Sequence, residues 1–287
     1  MATASLVVAT RVHWSTHRLL PHEQLDVDAE LRPLLAFCAR AASFAAGALV
    51  AVGVPPAASD APDSPLAKSA FEVVARLRLE TASTGARVVV LPLLQWGRFV
   101  PALNALVAAA ATHFPSARLL LLQSLEVVAD AAAVTFLASR FEVGRDLVVG
   151  AALPGHDFRP SHGESESESG DTLQLDGRTT PWNTLALWDL ARLALVGFPL
   201  LGDALTLDAA SAGVEEVSTI ALYQQLFPDA SAAKLCAVPG IEWRVDGFDS
   251  DERRSWQERK MASKLQRAET QIAHFGLAKR GTVRHVR

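Results

Sequence analysis

Three polar residues, Gln123, Ser124 and Glu126, interrupt the end of an otherwise apolar run, Leu119 to Val128, LLLLQSLEVV. Four leucines in series fall far short of the ~20 residues that span a bilayer and suit a central parallel strand covered on both faces. Ligands of open α/β sheets sit just beyond the carboxyl ends of such strands, where polar groups can reach a crevice. Further on, Glu215 and Glu216 open a helical segment, Gly213 to Phe227. A carboxylate beside a substrate hydroxyl can take its proton. Adjacent residues on a helix point ~100° apart, so one of the two could do this, Glu216 by preference. As first-turn acids, both also suit the helix dipole. His13, His17 and His22 in the segment after the first strand could touch phosphate or stand solvated, and their spacing is no metal signature. His156, in PGHDF, either faces a crevice or shapes a turn.

The elements that must position these groups alternate. Ser5 to Thr10 reads as a strand, and a helix from about Asp28 carries Leu31, Leu34, Leu35, Cys38 and Ala42 at helical spacing. Ala48 to Val54 is a second strand. Ser64 and Pro65 make an N-cap and first turn for a helix to about Thr81, stopped by Gly85. Arg87 to Leu93 is a third strand, followed by a loop and an Ala-rich helix; Ala117 to Val128 is the fourth, Asp130 to Phe141 a helix, and Asp146 to Leu153 the fifth strand. Strand and helix alternating at this interval predict βαβ crossovers and a mostly parallel central sheet flanked by helices, a Rossmann-like three-layer α/β sandwich. Beyond it lie an acidic Ser/Glu loop at 161–171, expected to be solvated and mobile, and a helix over Pro181 to Leu201. The helix at Gly213 to Phe227 follows, then short strands at Lys234 to Val238 and Glu242 to Val245, and a charged helix at Ser255 to Phe275. Its apolar stripe reads as Trp256, Met261, Leu265 and Ile272. One core is expected over residues 1–252, with 253–287 a basic helix and tail.

The totals remove several classes. Half of the 287 residues are hydrophobic and a fifth charged, enough to pack an interior, so the chain is globular. Cys38 and Cys236 each sit in an apolar run, which predicts buried reduced thiols. No signal-peptide pattern or membrane-spanning run occurs, which makes a soluble cytoplasmic protein the default. Net charge is −4, yet from Arg253 onward ten Lys/Arg face only Glu258 and Glu269. The body is therefore acidic, and no nucleic-acid surface is expected. GxxxxGK[ST], GxGxxG, GxSxG and HExxH are all missing, which argues against P-loop hydrolysis, the usual dinucleotide fold, α/β-hydrolases and zincins.

Three segments carry a family resemblance. GRFVPALNALVAAA presents Gly97, Arg98, Leu103 and Asn104. LLLLQSLEVV precedes a helix and the small-residue strand LVVGAAL. GVEE, Gly213 to Glu216, opens a helix. Together they resemble the nucleotide-diphospho-sugar transferase (GT-A type) glycosyltransferase fold, over roughly Ser5 to Trp243. The resemblance implies a nucleotide-sugar donor and an unknown acceptor. Arg98 and Asn104 would lie beside the nucleotide, Glu216 or Glu215 near the acceptor as base, and Trp182 and Asn183 on the acceptor face, where an aromatic plane can stack on sugar C–H groups. The family's metal-binding DxD is degenerate here: Gln123 or Ser124 and Glu126 stand in its place, leaving one carboxylate. Mg²⁺ or Mn²⁺ prefers several hard anionic oxygens. Glu126 would hold it weakly, or Arg11, Arg98 and basic-tail residues such as Arg253, Lys260 and Lys264 would offset the diphosphate instead. A nucleotidyltransferase would carry a Gly-rich loop after the first strand, and RVHWSTHR contains no glycine. A non-catalytic nucleotide-sugar-binding or scaffold protein is the other reading.

Overall fold

The structure, a computed structural model, describes residues 5–14, 23–54, 64–160, 172–243, 251–277 and 279–287, with the side chains of 251–262 excepted. The acidic loop at 161–171, His17 and His22 lie outside the described residues, as do the side chains of Trp256 and Met261. The chain forms two compact units, Ala2–Leu125 and Glu126–Arg287.

The N-terminal unit runs β1 (Leu6–His13), α1 (Val27–Ala42), β2 (Gly47–Gly53), α2 (Pro65–Ala82), β3 (Val88–Leu93), α3 (Val100–His113) and β4 (Leu119–Gln123). Its strands lie in the order β3-β2-β1-β4, every pairing parallel. β2 and β4 are buried at every position, the condition that lets a parallel strand read as an unbroken apolar run. Right-handed crossovers that step outward from β1 to β3 put α1 and α2 on one face. The step back to β4 puts α3 on the other. α1 and α2 start where short polar side chains can satisfy first-turn N–H groups: Asp26 accepts from Ala29 N (3.0 Å) and Ser64 from Ala67 N (3.1 Å), with Pro65 in the first turn of α2. Gly85, at φ 70°, turns the chain after α2. Gly47 is required by close approach, since a Cβ there would lie 2.6 Å from the Arg87 carbonyl oxygen and 2.3 Å from the Phe114 ring.

The C-terminal unit runs β5 (Val127–Val128), α4 (Ala131–Ser139), β6 (Asp146–Ala151), β7 (Thr172–Gln174), β8 (Leu185–Asp189), α5 (Leu190–Val196), α6 (Glu215–Leu226), β9 (Ala232–Cys236), β10 (Glu242–Trp243), α7 (Asp251–Phe275) and β11 (Thr282–Val286). Its sheet has the order β8-β6-β9-β11-β7. The β6–β9 and β9–β11 pairs are parallel, whereas β8 pairs antiparallel with β6 and β7 antiparallel with β11. β5 and β10 form a separate antiparallel pair. The expected α/β architecture, a mostly parallel sheet flanked by helices, is the one observed.

Three expectations about elements need correction. The helix expected over Pro181 to Leu201 is strand β8 followed by α5. The run Leu185 to Trp188 is buried throughout and pairs with β6, Val148 opposite Trp188; an apolar run this short fits either structure. Asp189 then caps α5, its carboxylate accepting from Arg192 N at 2.8 Å. The basic tail contains strand β11, whose buried Val283 and His285 alternate with partly exposed neighbours. The face of α7 is also turned by about one residue: Leu265 is exposed, and Ala268, Gln271 and Ile272 are buried. Cys38 and Cys236 are free and buried, and burial pushes both thiols up to about 12. No helix among the described residues is long and apolar enough to cross a membrane.

β6 and β9 share a buried ion pair. Lys234 Nζ lies 2.8 Å from Asp146 Oδ2, and the same ammonium also contacts Glu142 and donates to the Arg140 carbonyl. Asp146 Oδ2 further accepts from Glu142 N at 2.7 Å, whereas Oδ1 has no hydrogen-bond partner. Burial holds the Asp146 carboxyl above its ordinary range in spite of these bonds, and Lys234 holds that of Glu142 below.

Candidate functional site

The N-terminal sheet reverses its winding between β1 and β4. In open α/β sheets the carboxyl ends of two such strands are where ligands bind. β1 ends in Thr10, Arg11, Val12 and His13; β4 ends in Gln123, followed by Ser124. The parallel register sets Ala9 against Leu122, so its continuation brings Thr10 beside Gln123, with both side chains on one face. Both are buried, and Thr10 Oγ1 has no hydrogen-bond partner. A buried hydroxyl left unsatisfied costs stability, which makes Thr10 the feature of this strand end that packing alone does not account for. Arg11 is half-buried, with its side chain on the opposite face of β1. His13 is exposed, and its ring stands 4.9 Å from that of Trp96 at 58°. The Trp96 ring and the His13 Cβ crowd Gly53, where an added Cβ would come within 2.7 Å of each side chain. Arg98 is exposed on the loop between β3 and α3, and Asn104 is half-buried in α3. The structure thus brings Arg11, Gln123 and Ser124 to one end of the sheet. It sets His13, the one of the three candidate histidines among the described residues, at the same end and adds Thr10 and Trp96. The signal for Thr10 was a hydroxyl closing the apolar run LVVA; Trp96 had none beyond its place in the β3–α3 loop.

Glu126 is exposed in the turn after β4. Among the described residues no group of three or more His, Cys, Asp or Glu is placed to hold a metal ion. A single exposed carboxylate beside an amide and a hydroxyl does not supply the anionic oxygen set that Mg²⁺ or Mn²⁺ prefers, so the residues present do not fit the cation that a DxD would bind.

The two glutamates lie in the C-terminal unit and both are buried. α6 begins without a side-chain cap, after Gly213 and Val214 in left-handed conformations (φ 95° and 54°), which swing Glu215 and Glu216 inward. Asn183 binds both. Its backbone N–H donates to Glu216 Oε1 at 2.6 Å and its amide nitrogen to Glu215 Oε1 at 3.2 Å, while its amide oxygen accepts from Trp188 Nε1 at 3.0 Å. Burial first, and the neighbouring charge of Glu215 second, raise the Glu216 carboxyl to about 7, against the pull of Asn183 and Lys264. That places a proton-exchanging group near neutrality, as general acid–base chemistry needs.

Trp182 and Asn183 lie in the irregular segment before β8, not at a helix start. Trp182 is buried; its indole N–H donates to Gly177 O at 2.9 Å. His156 stacks on its ring at 3.6 Å, and Lys264 Nζ stands 3.1 Å from the ring centroid. Trp188 is core. His156 shapes the turn: Nδ1 accepts from Leu153 N at 2.9 Å, which assigns the proton to Nε2, donated to Thr180 O at 3.1 Å. Burial lowers this imidazole to about 3. His285 is held in the same way, between Arg159 N and Thr179 O, and burial lowers it too.

Fold and site together define an α/β protein with polar residues at the β1/β4 switch point and a buried carboxyl pair. No protein-family model matches the chain, and no curated protein matches it in sequence. Among solved structures it is similar to a mannose-1-phosphate geranyltransferase from Thermus thermophilus, at 18% sequence identity and a TM-score of 0.29. The likeness covers 51% of this chain, which spans about two fifths (41%) of that one.

Proposed function

We propose that the protein binds a nucleotide-diphosphate sugar at the carboxyl ends of β1 and β4 and transfers the sugar to an acceptor. The observation that carries the reading is the partnerless buried hydroxyl of Thr10, set beside Gln123 where the sheet reverses its winding. Arg11 and Arg98 meet the diphosphate charge that a metal would otherwise neutralise; guanidinium suits this because it presents several donors in one plane. His13 and Trp96 offer ring surface at the same strand ends, and Asn104 and Ser124 offer hydrogen bonds to the donor. Within the C-terminal unit, Glu216 is the carboxyl group suited to act as a base, with Glu215 its partner. Glu126, a lone exposed carboxylate, favours a second reading, in which donor binding persists without turnover.

Isothermal calorimetry against a panel of nucleotide-diphosphate sugars, with and without Mn²⁺, tests the binding step. Binding is expected without the metal, weakening as salt rises, with Arg98→Ala costing about tenfold, or ~1.4 kcal/mol. Absence of heat with every member of the panel sinks the proposal. Thr10→Val separates ligand binding from packing. Removal of an unpaired buried hydroxyl leaves folding stability unchanged or raises it by up to ~1 kcal/mol, while affinity for the donor drops. A Thr10→Val protein that binds the donor as tightly as wild type removes this residue from the site.

A further inference from the structure

Lys264 enters the C-terminal unit in a way that the basic composition of its helix does not require. The inward face of α7 runs through Lys264, Ala268, Gln271 and Ile272, spaced i, i+4, i+7 and i+8. Gln271 fixes its rotation, since the side-chain amide donates to Ser211 O at 2.8 Å and to Gly213 O at 2.6 Å, immediately before α6. Two turns earlier the helix backbone lies directly against Gly177, where a Cβ would be 2.3 Å from the Lys264 carbonyl oxygen. This contact brings the Lys264 ammonium to 3.1 Å from the Trp182 ring centroid. His156 already covers one face of that ring at 3.6 Å, so the ammonium must occupy the other. The next residue, Asn183, is the one that grips both carboxyl groups.

We propose that Lys264 is the positioning residue of the α6 acid pair: α7 delivers its ammonium, seated on Trp182, as the counter-charge that keeps Glu216 available as a carboxylate. The role assigned to Glu216 rests on the transferase reading above. Two carboxyl groups on adjacent residues in a dry site resist ionising together, and a nearby cation relieves the conflict. A desolvated indole face holds an ammonium without consuming the oxygens of the pair. The charged and titratable groups that face Glu216 support the assignment. Glu215 opposes its ionisation from α6 and Lys264 favours it from α7. His156, on the far side of Trp182, and His285, on β11, spend both ring nitrogens on backbone groups and stay neutral. A cation on α7 therefore governs acids on α6, and docking of α7 becomes a condition for the state of the pair.

The test is a titration of the full-length protein, following the Glu side-chain carboxyl carbons and the Lys264 ammonium by NMR, with no substrate present. Lys264→Met is expected to move the Glu216 midpoint up by about one pH unit, a tenfold gain in proton affinity. Lys264→Arg should return it to the wild-type value, which a purely space-filling role would not do. Because coupling is reciprocal, Glu216→Gln should lower the proton affinity of the Lys264 ammonium by the same factor, and this arm decides the matter if Lys264→Met does not fold. A Glu216 midpoint unmoved in Lys264→Met, or a Lys264 ammonium unmoved in Glu216→Gln, overturns the proposal. Failure of the donor-binding reading shows instead as absent heat in calorimetry, a result on which this titration does not depend.

Discussion

Lys234→Met should lower folding stability by about 3–5 kcal/mol, the range for breaking a buried ion pair by removing one partner. Asp146 has no exposed surface, and its Oδ1 lacks a hydrogen bond even with Lys234 present. Without the ammonium the carboxylate must either stay charged in an apolar interior or take up a proton there, and both are costly. The lysine is equally committed: its side chain is 6% exposed, and it joins adjacent parallel strands, Val149 opposite Lys234. Urea denaturation measures the loss, and a decrease under ~1 kcal/mol would mean that Asp146 finds relief elsewhere. The double variant Asp146→Leu/Lys234→Met supplies the contrast. Replacing both charges with apolar groups should recover part of the loss, limited by the Glu142 N–H that Asp146 Oδ2 now accepts from. A double variant less stable than Lys234→Met would show that the carboxylate's backbone bond outweighs its charge.

The N-terminal unit was the most legible in the sequence because each signal there is local. The buried strands β2 and β4 are unbroken apolar runs, and Ser64 with Pro65 caps the next helix as the dipeptide suggests. β8 was misread because LALW satisfies strand and helix equally, and only its pairing with β6, far away in sequence, decides between them. β11 was hidden inside a charged tail: in TVRHV, Val283 and His285 form the buried period-2 set, and one of that set is a histidine. The face of α7 was misplaced because a reading by apolarity skips Gln271, which is buried through two backbone carbonyls near residue 212.

The same division holds at the site. Gln123 stood out because an amide ends a leucine run, and Arg11 because it follows an apolar strand. The burial of Glu216 was not readable, since first-turn acids usually face solvent and these are turned inward by Val214 and held by an asparagine 33 residues away. Lys264 was one basic residue among ten in the final segment. Only the bare glycine at 177 lets it reach Trp182. The strand-end position of these polar residues is thus legible in sequence order, whereas the burial of the acid pair depends on long-range contacts whose members are individually ordinary.

The buried glutamate has a consequence for stability that can be measured without any ligand. A carboxyl group raised to about 7 in the folded protein and near 4.5 when unfolded favours folding fully below 4.5. That contribution is lost as pH rises through 7, because the unfolded chain gives up its proton first. His156 acts in the opposite sense. Lowered from 6.5 to about 3, it is neutral in the fold while the unfolded chain is protonated, so stability falls as pH drops below 6.5. Between 4.5 and 6.5 the two slopes offset each other, with His285 reinforcing the histidine side. Glu216→Gln removes one arm while its amide oxygen can still accept from Asn183 N. Relative to wild type, the glutamine variant should therefore gain on the order of 2 kcal/mol between pH 4.5 and pH 8. Its own stability should fall more steeply than that of the wild type on acidification from 6.5. Chemical denaturation of both proteins across this range decides it: parallel stability profiles would mean that Glu216 titrates as an ordinary surface carboxylate, and the case for it as a base near neutral pH would go with them.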